Sequence, residues 1–343
     1  MKGYLLLLLV FMTLAELCAI ESKNRFSIYA DIAADDSYAG LDWAMELSES
    51  REFDLFRISG EYSLYSRYQS KWEDGQSADL DFESYRYYVN LSRPQTELRV
   101  GMQRLSFGSA QVLRPLMWFD RVDPMDPYQV TKGVEAALFR HHWLNNANIW
   151  LWGVMGTRST KGNEFAGGKN NALEYGGRLQ YPTYIGDAAL SYHSRDLFLG
   201  HEHRLGMDLR MDYALGLWVE ASASYFKDFP GSPTYTATGS IGADYVFDLG
   251  NGLALLGESM LHTVSEGDLA AISYEELAFA TMADYPLGLL DSIRLLMSYT
   301  IENEEYIVTG SWRRTYDYIA LDLGLSKTKS RGNSLNLMIS ATY

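Results

Sequence analysis

From Asn24 to the last residue the dominant hydrophobic period of this chain is two, the repeat of a half-buried strand and not of a helix. Phe26, Ile28, Ala30 and Ile32 alternate with Ser27, Tyr29, Asp31 and Ala33. Leu41, Trp43, Met45 and Leu47 alternate with Asp42, Ala44, Glu46 and Ser48. Farther on, Tyr85, Tyr87, Val89 and Leu91 oppose Arg86, Tyr88, Asn90 and Ser92. Leu205, Met207, Leu209 and Met211 oppose Arg204, Gly206, Asp208 and Arg210. The final segment is the cleanest, with Leu335, Leu337, Ile339, Ala341 and Tyr343 against Asn336, Met338, Ser340 and Thr342. Charges fall almost wholly on one face. An apolar face backed by an ionic one is what a strand between lipid and a watery lumen requires.

Residues 1–19, MKGYLLLLLVFMTLAELCA, read as a secretory leader removed after Ala19: a basic residue, an apolar run from Tyr4 to Leu14, then small residues. Acylation at Cys18 is the rival, disfavoured by the bulk of Leu17 directly before it. Cys18 is the only cysteine, so residues 20–343 have no disulfide to hold them together. A net charge of −15 argues against nucleic acid as a partner. No later stretch approaches the apolar length of a spanning helix. Heavy use of Tyr (25) and Gly (29), scarce Pro (8) and a mean hydropathy of −0.18 suit an exported barrel with aromatic girdles and a polar interior. Tyr181, Tyr213, Tyr225, Tyr285 and Tyr299 stand near strand ends on the apolar face, where such girdles belong.

The connections alternate between short and long, which places both chain ends on the short-turn, periplasmic side and makes the strand number even. Dividing Leu289 to Lys327 into three strands, with a tight outer turn at Glu302–Glu305, gives about eighteen; about sixteen is the runner-up. The expected fold is therefore all-β: one antiparallel transmembrane barrel over residues 20–343, in the outer membrane and surrounded by its lipid. A β-sandwich of this many strands would need more turn punctuation.

One connection stands apart. Phe107 to Thr131, FGSAQVLRPLMWFDRVDPMDPYQVT, holds no helical period, and Pro115, Pro124 and Pro127 each remove a backbone donor. Yet Val112, Leu113, Leu116, Met117, Trp118 and Phe119 are too apolar to leave in water. A connection of this length without regular structure tends to be functional. It is the third outer loop by the strand count, and its composition predicts that it packs inward. Arg104, just before it, would face lipid if the alternation continued, which a β-bulge at Gln103–Arg104 or a place at the rim would resolve.

The run LRVGMQRLSFGSAQVLRPLMWFDRVDPMDP resembles a pattern in porin-like outer-membrane barrels of Gram-negative bacteria, the alginate-export-type and uncharacterised Bacteroidetes-like barrels among them. Gly101, Gln103, Arg104, Phe107, Gly108, Pro115, Asp120, Asp123, Pro124, Asp126 and Pro127 carry the likeness over about thirty residues. It implies a channel whose third loop narrows the lumen. Tyr343 is similar to the terminal aromatic signal read by barrel-assembly machinery.

On that reading Met117, Trp118 and Phe119 anchor the loop to the inner wall. Asp120, Asp123 and Asp126 then face the lumen, opposite Arg86, Arg99, Arg178 and Arg210 from the wall, and opposed charges across a narrow gap sort solutes. The bland alternative is a structural loop whose Asp and Arg neutralise one another. Inferred lumen acids at Glu61, Glu174, Asp208, Asp212, Asp244 and Glu258 outnumber bases, so an open pore is expected to prefer cations. The function expected is passive diffusion of small hydrophilic solutes. The rival function is a plugged barrel binding surface polysaccharide or a periplasmic partner. No catalytic constellation, cofactor or metal site is expected. His201-Glu202-His203 reads as solvated loop sequence, His141 and His142 alternate faces, and Gly167-Gly168-Lys169 lacks the elements of a phosphate loop.

Overall fold

The computed structural model describes residues 20–33, 37–71, 78–121, 131–230, 233–268 and 271–343. The expected leader at residues 1–19 lies outside them, as do Asp123 and Asp126. Strands β1 (Glu21–Ala33), β2 (Tyr38–Glu52), β3 (Arg57–Lys71), β4 (Ala78–Arg93), β5 (Thr96–Gln103) and β6 (Val134–His142) come first. Then follow β7 (Asn148–Met155), β8 (Leu173–Thr183), β9 (Gly186–Asp196), β10 (His201–Asp212), β11 (Gly216–Lys227) and β12 (Tyr235–Phe247). The last are β13 (Leu253–Ser265), β14 (Ile272–Pro286), β15 (Asp291–Thr300), β16 (Glu305–Thr315), β17 (Ile319–Thr328) and β18 (Gly332–Thr342).

Each strand pairs antiparallel with the next, and β18 pairs with β1, so the 18-stranded sheet closes on itself. Closure removes both sheet edges, the condition under which strands can stand in lipid. Connections at one end run from two to five residues, while the other end carries the 30-residue stretch 104–133. The three-way division of residues 289–327 holds, with its turn at residues 301–304.

The alternation of the sequence becomes the two faces of the wall. Leu205 and Met207 of β10 lie exposed on the outside, whereas Arg204 and Asp208 are buried inside. Tyr181, Tyr213 and Tyr299 lie exposed on the outside. Phe26, Trp43 and Tyr343 stack outside the closing seam, with Phe26 at 5.9 Å from each of the other two rings.

Two local readings change. Tyr85 was expected on the lipid face but is 4% exposed, and its hydroxyl donates to the inward-facing Glu46 at 3.1 Å. The cause is a register shift: Ser63 pairs with Arg86 and Leu64 with Ser84, leaving Tyr85 as the extra residue of a bulge. His201-Glu202-His203 begins β10 instead of lying in a loop, which puts Glu202 inside and both histidines on the other face. His201 Nδ1 meets Asp196 Oδ1 at 2.6 Å and His203 Nδ1 meets the Tyr192 hydroxyl at 2.9 Å.

Candidate functional site

The stretch after β5 turns into the barrel. β5 ends at Gln103, so Arg104 lies past the strand, where the alternation no longer assigns it a face, and its Nη2 stands 3.5 Å from the buried Asp120. Gly108 then adopts φ 98°, a conformation that favours glycine, close beside the Glu220 carboxylate. From there the main chain runs along the far inner wall. Glu220 Oε2 accepts from Ser109 N (2.8 Å) and Ala110 N (3.0 Å), and its Oε1 accepts from Leu116 N (2.7 Å). Glu258 Oε1 accepts from Gln111 N at 2.7 Å, and Oε2 from Val112 N (2.9 Å) and Leu113 N (2.5 Å).

Two wall carboxylates thus satisfy six backbone donors in a segment with no strand partner, and the donors in turn stabilise the buried charge. Charge-assisted bonds of this kind contribute about 1.5–3 kcal/mol each. Glu220→Ala leaves three N–H groups without their acceptor. We expect it to lower barrel stability by about 3 kcal/mol or more, read as an earlier loss of the compact band on heating in detergent. An unchanged transition would mean that water replaces the carboxylate.

The limbs on either side of that run are apolar. Leu105, Phe107, Leu116, Trp118 and Phe119 form one buried cluster with Val134, Ala136 and Leu138 of β6 and Trp152 and Val154 of β7. Phe107 stacks on Trp152 at 5.6 Å, and Trp118 Nε1 donates to Ser222 Oγ of β11 at 2.9 Å. Gly206 of β10 leaves the space that Leu116 and Trp118 occupy, since a Cβ there would overlap both. Here the wall is apolar inside as well as outside, because protein and not water covers it. Met117 acts through its carbonyl, which accepts from Asn163 N at 2.7 Å.

Asn163 belongs to a second inward connection, residues 156–172, laid over the first. Arg121 Nε donates to Gly162 O at 3.1 Å. Beneath it lies a buried ionic cluster. Lys161 Nζ donates to Glu174 at 2.7 and 2.9 Å. Arg195 Nε and Arg204 Nε donate to Glu202 at 2.6 and 2.5 Å, and Arg195 Nη1 lies 2.9 Å from Glu164. Trp152 Nε1 donates to His193 Nδ1 at 3.2 Å, which requires that nitrogen to be unprotonated. With His193 neutral, Lys161, Arg195 and Arg204 balance Glu164, Glu174 and Glu202. Burial pushes the Glu164 carboxyl above its usual range, against the pull of Arg195, Arg204 and Lys161.

Of the residues expected to form a charged constriction, Asp120 and the four wall arginines are described, and each has an oppositely charged partner. Asp120 is 1% exposed and lies 3.5 Å from both Arg104 Nη2 and Arg114 Nη1, inside its own segment. Arg178 grips Asp208 with two bonds of 2.6 and 2.9 Å. Arg210 lies 3.2 Å from Asp212 and 3.3 Å from Asp244. Arg99 donates to Glu97 at 2.6 Å, and Arg86 stands 3.9 Å from Glu61. The expected acids of the lumen therefore arrive paired, Glu174 with Lys161 and Glu258 with main-chain donors. Among the described residues no group of three or more His, Cys, Asp or Glu could hold a metal ion.

No family model matches the chain, and no curated protein matches it. Solved structures do. The OccAB4 structure of Acinetobacter baumannii aligns at a TM-score of 0.60 and 11% identity, over 95% of this chain and 98% of that one. The Pseudomonas aeruginosa OpdK structure with vanillate gives 0.60 and 10%, over 94% and 98%. A Salmonella typhi OmpF complex with daunomycin gives 0.54 and 9%, over 94% and 97%. The barrel is porin-like. At these identities the likeness concerns fold, and it leaves the narrower kinship with alginate-export-type barrels a resemblance only.

Proposed function

We propose that this chain is an outer-membrane channel of Gram-negative type for passive diffusion of small hydrophilic solutes, narrowed by the connection between β5 and β6. One observation carries the reading. A long connection is fixed inside the barrel on two wall carboxylates, while the opposite inner wall, β14–β18 with β1–β3, bounds a cavity of about 750 Å³ lined by polar side chains. A barrel this wide leaves an aqueous lumen unless something fills it. The inward segment fills one side and sets the width of the other. No chemistry is required of such a protein, only a polar path.

Proteoliposomes loaded with a small hydrophilic dye and a large dextran test it. The dye should escape and the dextran stay. Retention of both would favour the plugged barrel. Because Asp120 is buried and paired, Asp120→Asn should leave the zero-current potential in a salt gradient unchanged. A shift toward anions would put its carboxylate in the ion path.

A further inference from the structure

The side of the lumen left unfilled has a lining of a different kind from the rest. Toward the long-loop end, Arg67 Nε donates to Asp42 Oδ1 at 3.1 Å and Arg331 Nη2 to Asp31 Oδ1 at 2.6 Å. Toward the short-turn end, Arg294 Nε donates to Asp284 Oδ1 at 2.6 Å and Arg313 Nε to Asp322 Oδ1 at 2.5 Å. Between these two belts the inward faces of β16, β17 and β18 carry no charge. They present Thr309, Ser311, Ser326, Ser334 and Asn336.

Each of these four Arg–Asp pairs is electroneutral, in a chain whose net charge is −15. An ion beside them meets fixed charges that already hold partners. A solute rich in hydroxyls has the opposite experience. Each hydroxyl both donates and accepts, so it can exchange water for Ser, Thr and Asn along the middle zone. Each Arg–Asp pair sets a donor beside an acceptor, the arrangement that adjacent hydroxyls match. Tyr29 and Tyr38 stand edge to face at 6.1 Å beside the outer belt, with Arg67 over one ring and Arg331 over the other, and add polarisable surface for C–H groups.

Resting on the channel reading above, we propose that this cavity selects uncharged polyhydroxylated solutes, of the sugar or polyol class, over charged solutes of similar size. The test is swelling of proteoliposomes holding the full-length protein, in isosmotic glucose, sodium glutamate or lysine hydrochloride, with the zero-current potential measured in a KCl gradient. Glucose should enter several times faster than either amino acid, and the potential should lie near zero. Asp31→Asn with Asp322→Asn unbalances one guanidinium in each belt. It should move the potential toward anion preference and raise glutamate entry relative to glucose. Glutamate or lysine entering the unaltered protein as fast as glucose would overturn the proposal and leave the channel reading intact. No swelling in any solute, with no conductance, would remove the channel reading and this inference with it.

Discussion

Replacing residues 107–131 with a short glycine linker should raise single-channel conductance by roughly twofold or more, because an unfilled barrel of this strand number is a wide aqueous channel. The segment removed spans the lumen from the β6–β7 wall to Glu220 of β11 and Glu258 of β13. Its loss also changes selectivity. Glu220 and Glu258 lose the six donors that now bind them and become fixed negative charge facing water. Local cation concentration then rises, so the deletion should acquire a cation preference that grows at low salt. Leu138, Trp152 and Val154 would be uncovered at the same time, so the variant should also melt earlier. A correctly assembled deletion with the original conductance would show that the segment lies off the solute path.

Deleting residues 336–343 should abolish assembly. The deleted residues pair with β1 from Arg25 to Asp31 and with β17 from Ile319 to Gly324. Asn24 and Tyr343 also exchange both main-chain bonds, at 2.7 and 3.0 Å. Truncation therefore opens the ring at the β18–β1 seam and leaves two rows of unpaired backbone groups in lipid, each costing several kcal/mol. The Phe26–Tyr343 stack goes with it. A milder variant, Tyr343→Ala, keeps the backbone pairing and isolates the terminal aromatic. Normal membrane levels of the truncation, measured by blotting of outer-membrane fractions, would refute the closure argument.

The architecture was legible because lipid outside and water inside impose opposite chemistry on alternate residues, and parity settled the strand number. The bulge at Tyr85 was not legible. One extra residue inverts the alternation across it: Leu80 and Phe82 are the exposed apolar positions before the bulge and Leu91 after it, with Tyr85 turned inward between. Glu220 and Glu258 were also missed as anchors. A strand carboxylate that will receive loop N–H groups looks the same in sequence as one that faces water. A usable signal did exist in Asn148–Met155, NIWLWGVM, whose near-continuous apolar run marks a strand covered on both faces. Of the expected charged constriction, Asp120 and the four wall arginines are described, and Asp123 and Asp126 lie outside the described residues. The described ones take partners within reach: Arg178 bonds Asp208 two strands away, and Asp120 lies beside Arg104 and Arg114 of its own segment.

The most direct measurement is the current carried by the purified full-length protein in a planar bilayer. Stable steps of constant size, scaling with salt concentration and growing when residues 107–131 are replaced, are the expected result. A fully folded, heat-modifiable barrel that inserts yet carries no steady current would contradict it.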